Sequence, residues 1–195
     1  MQDILNIAKF IGESRVNGPG TRSVVWLQGC SSDCAGCYNQ SFRVQEPARL
    51  ISVDDLYAMI TNRLPIIEGV TFSGGEPFDQ ADALSLLANC LKRRGLNILC
   101  YSGYTYAELR HRPNPSVAKL LSDTDILIDG PYMEELREVT MWRGSSNQQL
   151  HIFNPALKNC LEKGAEEVEI IISEEGDITL TGSFREERMH GLIQD

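Results

Sequence analysis

Short runs of aliphatic and β-branched residues alternate with longer amphipathic stretches along most of this chain. Strand-like runs that alternate with helical patterns are typical of βαβ units, so we expect a mainly parallel sheet with helices packed on it. The predicted strands are Ile4–Phe10, Val24–Gln28, Val70–Phe72, Asn97–Tyr101, Ile126–Ile128, Val168–Ile172 and Ile178–Thr181.

Two helices are well signalled between these strands. The first begins at Ser52, whose hydroxyl can cap it, with Asp55 three residues further on and an apolar stripe behind. The second carries a stripe of Leu84, Leu87, Ala88 and Leu91 and ends in 92–95, Lys-Arg-Arg-Gly. Cations and glycine suit the C-terminus of a helix, so this basic cluster needs no partner to explain it.

The order of elements predicts an α/β fold, and more narrowly an incomplete, partial TIM-like α/β barrel. Five core strands are evident, and the pattern establishes no sixth strand in the ring. A chain of 195 residues suits one domain, which we place at 1–195 with a core of about 10–153. An extension at about 154–195 is predicted to hold a helix that begins at Asn154-Pro155, with Leu157, Cys160 and Leu161 turned inward, and then a β-hairpin.

Composition and charge narrow the possible partners and the compartment. A net charge of -9 disfavours binding to nucleic acid, which needs clustered Lys and Arg. The sequence contains neither a membrane-spanning apolar run nor the basic start and apolar core of a secretory signal, so we expect a cytoplasmic protein with no membrane partner. In that reducing compartment, its six cysteines are better interpreted as metal ligands or core thiols than as disulfides.

Three of these cysteines lie close together in a C-x3-C-x2-C spacing. Cys30, Cys34 and Cys37 directly follow the predicted strand Val24–Gln28, and active sites of α/β barrels form at the C-terminal ends of strands. Thiolates are the preferred ligands of iron–sulfur clusters. Three thiolates leave one iron of a [4Fe–4S] cubane without a protein ligand, and an open position indicates a site that performs chemistry.

The triplet alone leaves two other interpretations open, namely a structural zinc site with a distant fourth ligand and three free thiols. The candidates for a fourth ligand show no second close pair with the spacing of a zinc ribbon. They are His111, His151, His190, Cys90, Cys100 and Cys160. We predict that Cys90, Cys100 and Cys160 are core residues, because buried cysteine behaves as a small hydrophobe.

A second motif, Gly74-Gly75-Glu76-Pro77, ends the predicted strand Val70–Phe72. Paired glycines allow a ligand to approach the backbone at a strand end, and proline removes a donor and biases Glu76 away from helical geometry. By itself such a turn is often only a turn. The motif also lacks the spacing of a phosphate-binding loop, so it does not indicate a nucleoside triphosphate.

Together the two motifs resemble the radical S-adenosylmethionine superfamily. The resemblance implies that the amino and carboxylate groups of adenosylmethionine occupy the open iron, and that the Gly-Gly-Glu segment contacts the amino group. It further implies reductive cleavage of the cosubstrate to a 5′-deoxyadenosyl radical. Such proteins supply soft ligands, an open coordination site and a cavity that excludes water.

Further segments narrow the resemblance to the activating proteins of the anaerobic (class III) ribonucleoside-triphosphate reductase. The similarity covers roughly residues 10 to 153, and its most particular part is Trp142–Gln148. The resemblance implies a large glycyl radical enzyme as partner and a one-electron donor such as flavodoxin or ferredoxin. The matching segments are Asn17–Arg22, Gly29-Cys30, Cys34–Asn39, Tyr101–Tyr104, Asp129–Pro131 and Trp142–Gln148.

The resemblance also implies roles for individual residues. Gly36 stands where many superfamily members have an aromatic residue, and Tyr38 is interpreted as stacking on adenine. Asp129 is placed either to reach the cosubstrate or a nearby cation, or to end a strand as a turn residue. The predicted cofactor-binding residues are Gly36, Tyr38, Gly74, Gly75, Glu76, Pro77, Ser102 and Asp129.

Other polar residues are open to two interpretations. Trp142, Arg143 and Arg22 either contact the partner or only pack loops. His111 is predicted to be an exposed helix end, and Glu186-Glu187 an exposed face.

Two alternative functions compete with the activase. One is a different radical enzyme: either one that acts on a small molecule or peptide, such as a deazaguanine-type synthase whose activity ignores a protein partner, or the activase of another glycyl radical enzyme. The other is a zinc-stabilised binding module with no catalysis, which metal analysis would distinguish.

Overall fold

The protein is built on a seven-stranded mixed sheet with helices packed on it. The computed structural model describes residues 3–140, 142–162, 168–172, 176 and 178–182. The regular elements are β1 Ile4–Ser14, β2 Arg22–Leu27, β3 Arg49–Ser52, α1 Val53–Thr61, β4 Gly69–Gly74, α2 Ala81–Arg93, β5 Asn97–Tyr101, α3 Tyr106–His111, α4 Pro115–Asp123, β6 Ile126–Asp129, β7 Arg137–Thr140, β8 Arg143–Ser145, β9 Gln149–Ile152, β10 Val168–Ile172 and β11 Ile178–Gly182. 3-10 helices cover Gln40–Arg43, Pro77–Gln80, Glu134–Leu136 and Pro155–Glu162.

The sheet has the strand order β3-β1-β2-β4-β5-β6-β9. Strands β2, β4, β5 and β6 are parallel, and helices in the crossovers between them make this possible. At the flanks, β1 is antiparallel to both β2 and β3, and β9 is antiparallel to β6. The prediction of a mainly parallel sheet is therefore correct for the centre and wrong at both edges. The fold is an open mixed α/β sheet, since no closed barrel forms within the described residues.

The main core lies between the sheet and helices α1, α2 and α4. In α1, Leu56 and Ile60 are fully buried, and the Ser52 hydroxyl accepts the Asp55 N–H at 3.0 Å, which confirms the predicted cap. In α2 the predicted stripe is buried along its length, and Gly95 follows the helix with a φ of +84°. Both predicted helices are confirmed. No described helix is long and apolar enough to cross a membrane.

The predicted strands are confirmed with small shifts at their ends, but four short strands were missed. These are β3, β7, β8 and β9, which pair antiparallel with neighbours and are each four residues or fewer. The predicted helix at Asn154-Pro155 is present as a 3-10 helix, Pro155–Glu162, rather than as an α-helix. The side chains of Cys160 and Leu161, and all of Glu186-Glu187, lie outside the described residues.

The burial of three side chains tests predictions made for them. Cys90 was predicted to be a core thiol, yet it is exposed, because it lies on α2 outside the stripe that faces the sheet. Cys100 is fully buried in β5 and accepts the Thr124 hydroxyl at 3.4 Å, so it is a core thiol as predicted. His111 is exposed as the last residue of α3, again as predicted.

Arg22 is the largest fully buried side chain of the described chain, at 0% exposure. Its guanidinium donates to the carbonyl oxygens of Pro19 (2.7 Å) and Val70 (2.8 Å), to Thr71 Oγ1 (2.6 Å) and to Asn97 Oδ1 (3.0 Å). Burial lowers its pKa to about 10. Arg22 therefore fastens the preceding loop to β4 from inside, and the structure excludes a docking role for it.

We expect Arg22→Met to destabilise the fold. The change removes the guanidinium donors from two buried carbonyl oxygens and an amide oxygen, at a combined cost of about 2–4 kcal/mol in the free energy of unfolding. For a chain of this length that corresponds to a fall of roughly 5–15 °C in the melting temperature, measured by circular dichroism. Arg93→Met, an exposed change at the end of α2, is the matched control. An unchanged melting temperature in Arg22→Met would contradict this account of the buried guanidinium.

Candidate active site

A cavity of about 370 Å³ opens at the C-terminal ends of the parallel strands. Its lining includes residues that follow β2, β4, β5 and β6, so the crossover loops converge there as they do in other α/β proteins. The volume lies in the range of small-molecule sites. Both tryptophans of the chain, Trp26 and Trp142, also line it.

Cys30, Cys34 and Cys37 all line this cavity. They lie on the long segment between β2 and β3, whose first residues are tied to its later part by backbone hydrogen bonds. The Gly29 N–H donates to the Phe42 carbonyl at 2.8 Å, and the Cys30 N–H donates to the Arg43 carbonyl at 3.2 Å. The cysteine segment is therefore a closed loop with its thiols at the cavity.

Two amide side chains fasten both ends of this loop. Gln80 accepts the Asn6 N–H at 2.8 Å and donates to the carbonyls of Asn6 (3.0 Å) and Gln28 (2.9 Å). The Asn6 side chain in turn accepts the Ala48 N–H at 2.9 Å. Because Gln28 and Ala48 stand before and after the cysteines, Asn6 and Gln80 hold the loop at both ends against β1.

The thiols are partly buried. Burial raises the pKa of Cys30 and of Cys37, so metal loading has to displace a proton from each. The Ser32 N–H lies 3.4 Å from Cys30 Sγ, and such donors to sulfur tune iron–sulfur sites.

The donor set fits a cubane better than a single ion. Within the part of the chain that the structure describes, no three His, Cys, Asp or Glu side chains are arranged to hold one metal ion. A cubane takes each thiolate at a different iron, so its ligands need not converge on one point. No other described cysteine and no described histidine lines the cavity, so three soft ligands face it without a fourth. His190 lies outside the described residues.

The backbone of Gly74 and Gly75 lies in direct contact with backbone atoms next to them. Gly74 has a φ of +101°, and a Cβ on Gly75 would lie 2.0 Å from the Gly29 carbonyl oxygen. The Glu76 N–H donates to that same oxygen at 2.9 Å. The end of β4 is therefore packed directly against the start of the cysteine loop. Neither glycine position has room for a side chain.

Glu76 is 1% exposed and acts through its carboxylate on the neighbouring loop. Oε1 accepts the Ser102 hydroxyl and the Phe78 N–H, both at 3.0 Å, and Oε2 accepts the Gly103 N–H at 2.8 Å. Burial outweighs these donors and raises the pKa of Glu76 to about 7, so the carboxyl can hold a proton near neutral pH. Glu76 thereby joins the ends of β4 and β5 at the cavity.

The segment 142–148 forms another part of the cavity wall. Trp142 has a φ of +66°, which is unusual for a bulky residue, and its carbonyl accepts the Tyr101 hydroxyl at 2.9 Å. Gln148 accepts the Gly144 N–H at 2.9 Å and donates to the Gly130 carbonyl at 3.2 Å. Trp142 lines the cavity, and strained backbone of this kind is common at functional sites.

Tyr38 follows the third cysteine and is 49% exposed. Its ring meets Tyr132 edge-on at 5.1 Å, and the Arg137 guanidinium lies 5.2 Å from its centroid. A Cβ on Gly144 would lie 3.2 Å from the Tyr38 ring. The Tyr38 residue is therefore half exposed at the edge of the cavity.

Comparison with known proteins adds the family. Residues 16–151 match the model of the 4Fe-4S single cluster domain family. The anaerobic ribonucleoside-triphosphate reductase-activating protein of Vibrio cholerae is 36% identical over 163 residues, covering 76% of this chain and 99% of the relative. The protein of the same name from Escherichia coli K12 is 30% identical over 155 residues, covering 75% and 98%.

This chain belongs to the anaerobic ribonucleoside-triphosphate reductase-activating protein family. It is accordingly a radical-type activating enzyme with a 4Fe-4S domain. Among solved structures, QueE from Escherichia coli superimposes with a TM-score of 0.43 at 21% identity, over 52% of this chain and 53% of that chain, a likeness too limited to carry an argument.

The structure brings most, but not all, of the predicted site residues to one cavity. Those that line it are Cys30, Cys34, Cys37, Tyr38, Gly74, Gly75, Glu76 and Ser102. Gly36 does not line it; its φ is +68°, and a Cβ there would meet Glu134. Pro77 is buried at the start of a 3-10 turn and does not line it either.

Asp129 was predicted to reach the cosubstrate or to end a strand, and the structure supports the second role. Its carboxylate, 3% exposed, accepts the Tyr106 N–H and pairs with His151 Nε2 at 3.0 Å. Asp129 does not line the cavity, although the next residue, Gly130, does. In this member of the activating-protein family the aspartate fastens α3 and β9 to the end of β6.

Sequence reasoning missed several residues around the cavity of this activating-protein homologue. Asn6 and Gln80 gave no signal, because single amides in a strand and a turn are unremarkable in sequence. Lys9 and Trp26 line the cavity from β1 and β2, where they appeared only as strand residues. The hairpin residues 180–182 also line it, although they were placed in an extension outside the resemblance.

Proposed function

We propose that the chain holds a [4Fe–4S] cluster on Cys30, Cys34 and Cys37 and uses adenosylmethionine to introduce a glycyl radical into an anaerobic ribonucleoside-triphosphate reductase. Its relatives carry that reductase in their names, and the family match supplies the 4Fe-4S assignment. Reduction of the bound cluster would cleave the cosubstrate to a 5′-deoxyadenosyl radical that takes a hydrogen atom from the glycine.

One observation carries the proposal. Three cysteines line a cavity beside Gly74 and Gly75, and no other described cysteine and no described histidine lines it. The donor set therefore leaves one iron for a small ligand, and the space for that ligand is at the glycine pair. A purely structural site would close its coordination sphere with protein atoms.

The remaining residues orient and enclose the cosubstrate. We assign Gly74, Gly75 and Glu76 to contacts with the amino group of adenosylmethionine. Glu76 also holds Ser102 and Gly103 in place. Tyr38 is assigned to adenine through its exposed ring. A carboxyl that titrates near pH 7 can adjust its charge when a cation binds close by.

We also propose the type of fold, the electron donor and the cellular location. The four parallel strands, with their loops gathered at one end, support a partial barrel of the radical adenosylmethionine type in a single domain, 1–195. A flavodoxin or ferredoxin is the proposed electron donor, and the cytoplasm is the proposed location.

The test uses the anaerobically reconstituted protein, a reductase of the named kind, adenosylmethionine and dithionite. We expect a glycyl-radical doublet in the electron paramagnetic resonance spectrum and about one 5′-deoxyadenosine for each radical formed, because the hydrogen removed from glycine ends in that product. Omission of adenosylmethionine is the control. If 5′-deoxyadenosine forms without any doublet, and a small molecule instead accelerates it, the reductase is not the substrate.

A further inference from the structure

The hairpin β10–β11 lies against the sheet at the side of β1 and β2. Ile171 packs against a cluster of Ile11, Val24 and Trp26, which is separate from the main core. The alternate positions on β10 are exposed, so only one face of the hairpin is covered. The hairpin is therefore seated on the sheet by its inner face.

Hydrogen bonds of polar side chains on the inner face also hold the hairpin against the sheet. Lys9 Nζ donates to Thr179 Oγ1 at 3.0 Å, and Asn17 Nδ2 donates to Thr181 Oγ1 at 2.9 Å. The Arg15 N–H donates to the Glu169 carboxylate at 3.1 Å. Each partner on the sheet side belongs to β1 or to the loop that follows it, so the contacts form a continuous line along the hairpin.

The hairpin also reaches the cavity, at the end of β11. Leu180, Thr181 and Gly182 are among its lining residues, as are Lys9 and Asn17, to which the hairpin is bonded. Trp26 connects the two regions, because it lines the cavity and also packs in the cluster that Ile171 covers. Removing the hairpin would open this side of the cavity to solvent.

The hairpin lies outside the residues that define the family match, which end at 151. The wall it forms is thus an addition to the matched core of this chain. Enclosure is needed in radical chemistry, because a reactive intermediate in contact with bulk solution takes hydrogen from whatever donor it meets.

We propose that the hairpin β10–β11 is a wall of the active-site cavity, and that Thr179 and Thr181 are positioning residues that hold it closed through Lys9 and Asn17. Its role is to keep the radical from hydrogen donors other than the partner's glycine. When the wall opens, the 5′-carbon radical takes a hydrogen atom from a C–H bond of an organic buffer molecule, which yields the same 5′-deoxyadenosine and leaves the radical on that molecule. This inference rests on the proposed function.

The test replaces both hydroxyls with methyl groups in the full-length, cluster-loaded protein, as Thr179→Val with Thr181→Val. Valine keeps the shape and the strand preference of threonine, so the hairpin itself should persist. The matched control is Ile172→Val with Ile178→Val, a pair of cross-strand neighbours on the exposed face. Circular dichroism melting compares the folding of both variants.

The first readout does not depend on the partner. Acrylamide quenching of tryptophan fluorescence is measured in a Trp142→Phe background, so that Trp26 is the only emitter. We expect the threonine pair to raise the quenching constant about twofold, because a loosened wall exposes a tryptophan that is now only 8% exposed as a residue. The isoleucine pair should leave it unchanged.

The second readout is the number of glycyl radicals formed per 5′-deoxyadenosine, measured with Trp142 intact. We expect the threonine pair to lower this ratio roughly threefold, and the control pair to leave it unchanged. Unchanged Trp26 quenching, or increased quenching with an unaltered ratio, would overturn the proposal. If wild-type protein forms no glycyl radical, the proposed function fails, and Trp26 quenching alone then decides whether Thr179 and Thr181 hold the wall.

Discussion

Cys34→Ser will abolish cluster binding and, with it, cleavage of adenosylmethionine. A serine hydroxyl is a hard, weakly acidic donor, whereas iron–sulfur clusters take soft thiolates. Since two remaining thiolates would hold a cubane at only two irons, we expect iron retention and 5′-deoxyadenosine formation to fall by about a hundredfold or more. Iron and sulfide analysis after anaerobic reconstitution measures the first, and chromatography of 5′-deoxyadenosine measures the second.

Cys90→Ser is the matched control for this change. Cys90 is exposed on α2 and does not line the cavity, so the same chemical substitution there should leave iron content and activity unchanged. If Cys34→Ser kept a full complement of iron and sulfide, Cys34 would not be a ligand. A wild-type protein with about one zinc and no iron would favour the zinc-binding module instead.

Gly75→Ala will disrupt the site through the backbone. The added methyl group would lie 2.0 Å from the Gly29 carbonyl oxygen and 2.9 Å from the Phe42 carbonyl oxygen. Neither atom can rotate away, so the start of the cysteine loop has to move. A displacement of about 1 Å at reacting groups typically costs on the order of a hundredfold in rate, and we expect a loss of that size in adenosylmethionine cleavage.

Gly95→Ala provides the comparison. Gly95 has a φ of +84° but nothing within 4 Å of an added Cβ, so alanine there introduces backbone strain without a collision. We expect it to lower the free energy of unfolding by about 1 kcal/mol and to leave the specific activity of the folded protein intact. Equal activity losses in the two variants would show that backbone strain, rather than the collision at Gly29, explains the effect.

Local spacing was enough to predict the centre of the fold and to single out the three cysteines and the glycine pair that line the cavity. The strands β2, β4, β5 and β6 and the helices α1 and α2 have periodic apolar faces and recognisable caps, all of which are encoded within a few residues. The cysteine spacing and the glycine pair are likewise local, because ligands on one loop and glycines at one turn are neighbours in sequence. Their grouping at one cavity followed from parallel strands ending at the same edge.

Predictions failed where partners are distant in sequence. The strands β3 and β9 are short, and each depends on an antiparallel neighbour that local periodicity does not specify. For Asp129 and Arg22 the sequence allowed two interpretations each and could not choose between them. The bonds of Asp129 to Tyr106 and His151 make it a strand-end residue, and the burial of Arg22 makes it a residue that packs a loop.

The sequence by itself determined the chemistry of this protein, because a thiolate's affinity for iron and a glycine's lack of a side chain are properties of the residues in their local spacing. The tertiary structure decided how that chemistry is enclosed and held. Gln80 reaches Asn6 across 74 residues and Thr181 reaches Asn17 across 164, and both contacts exist only because folding brings these segments together. Such pairings carry no mark in the local pattern, since any amide or hydroxyl on a strand would look the same.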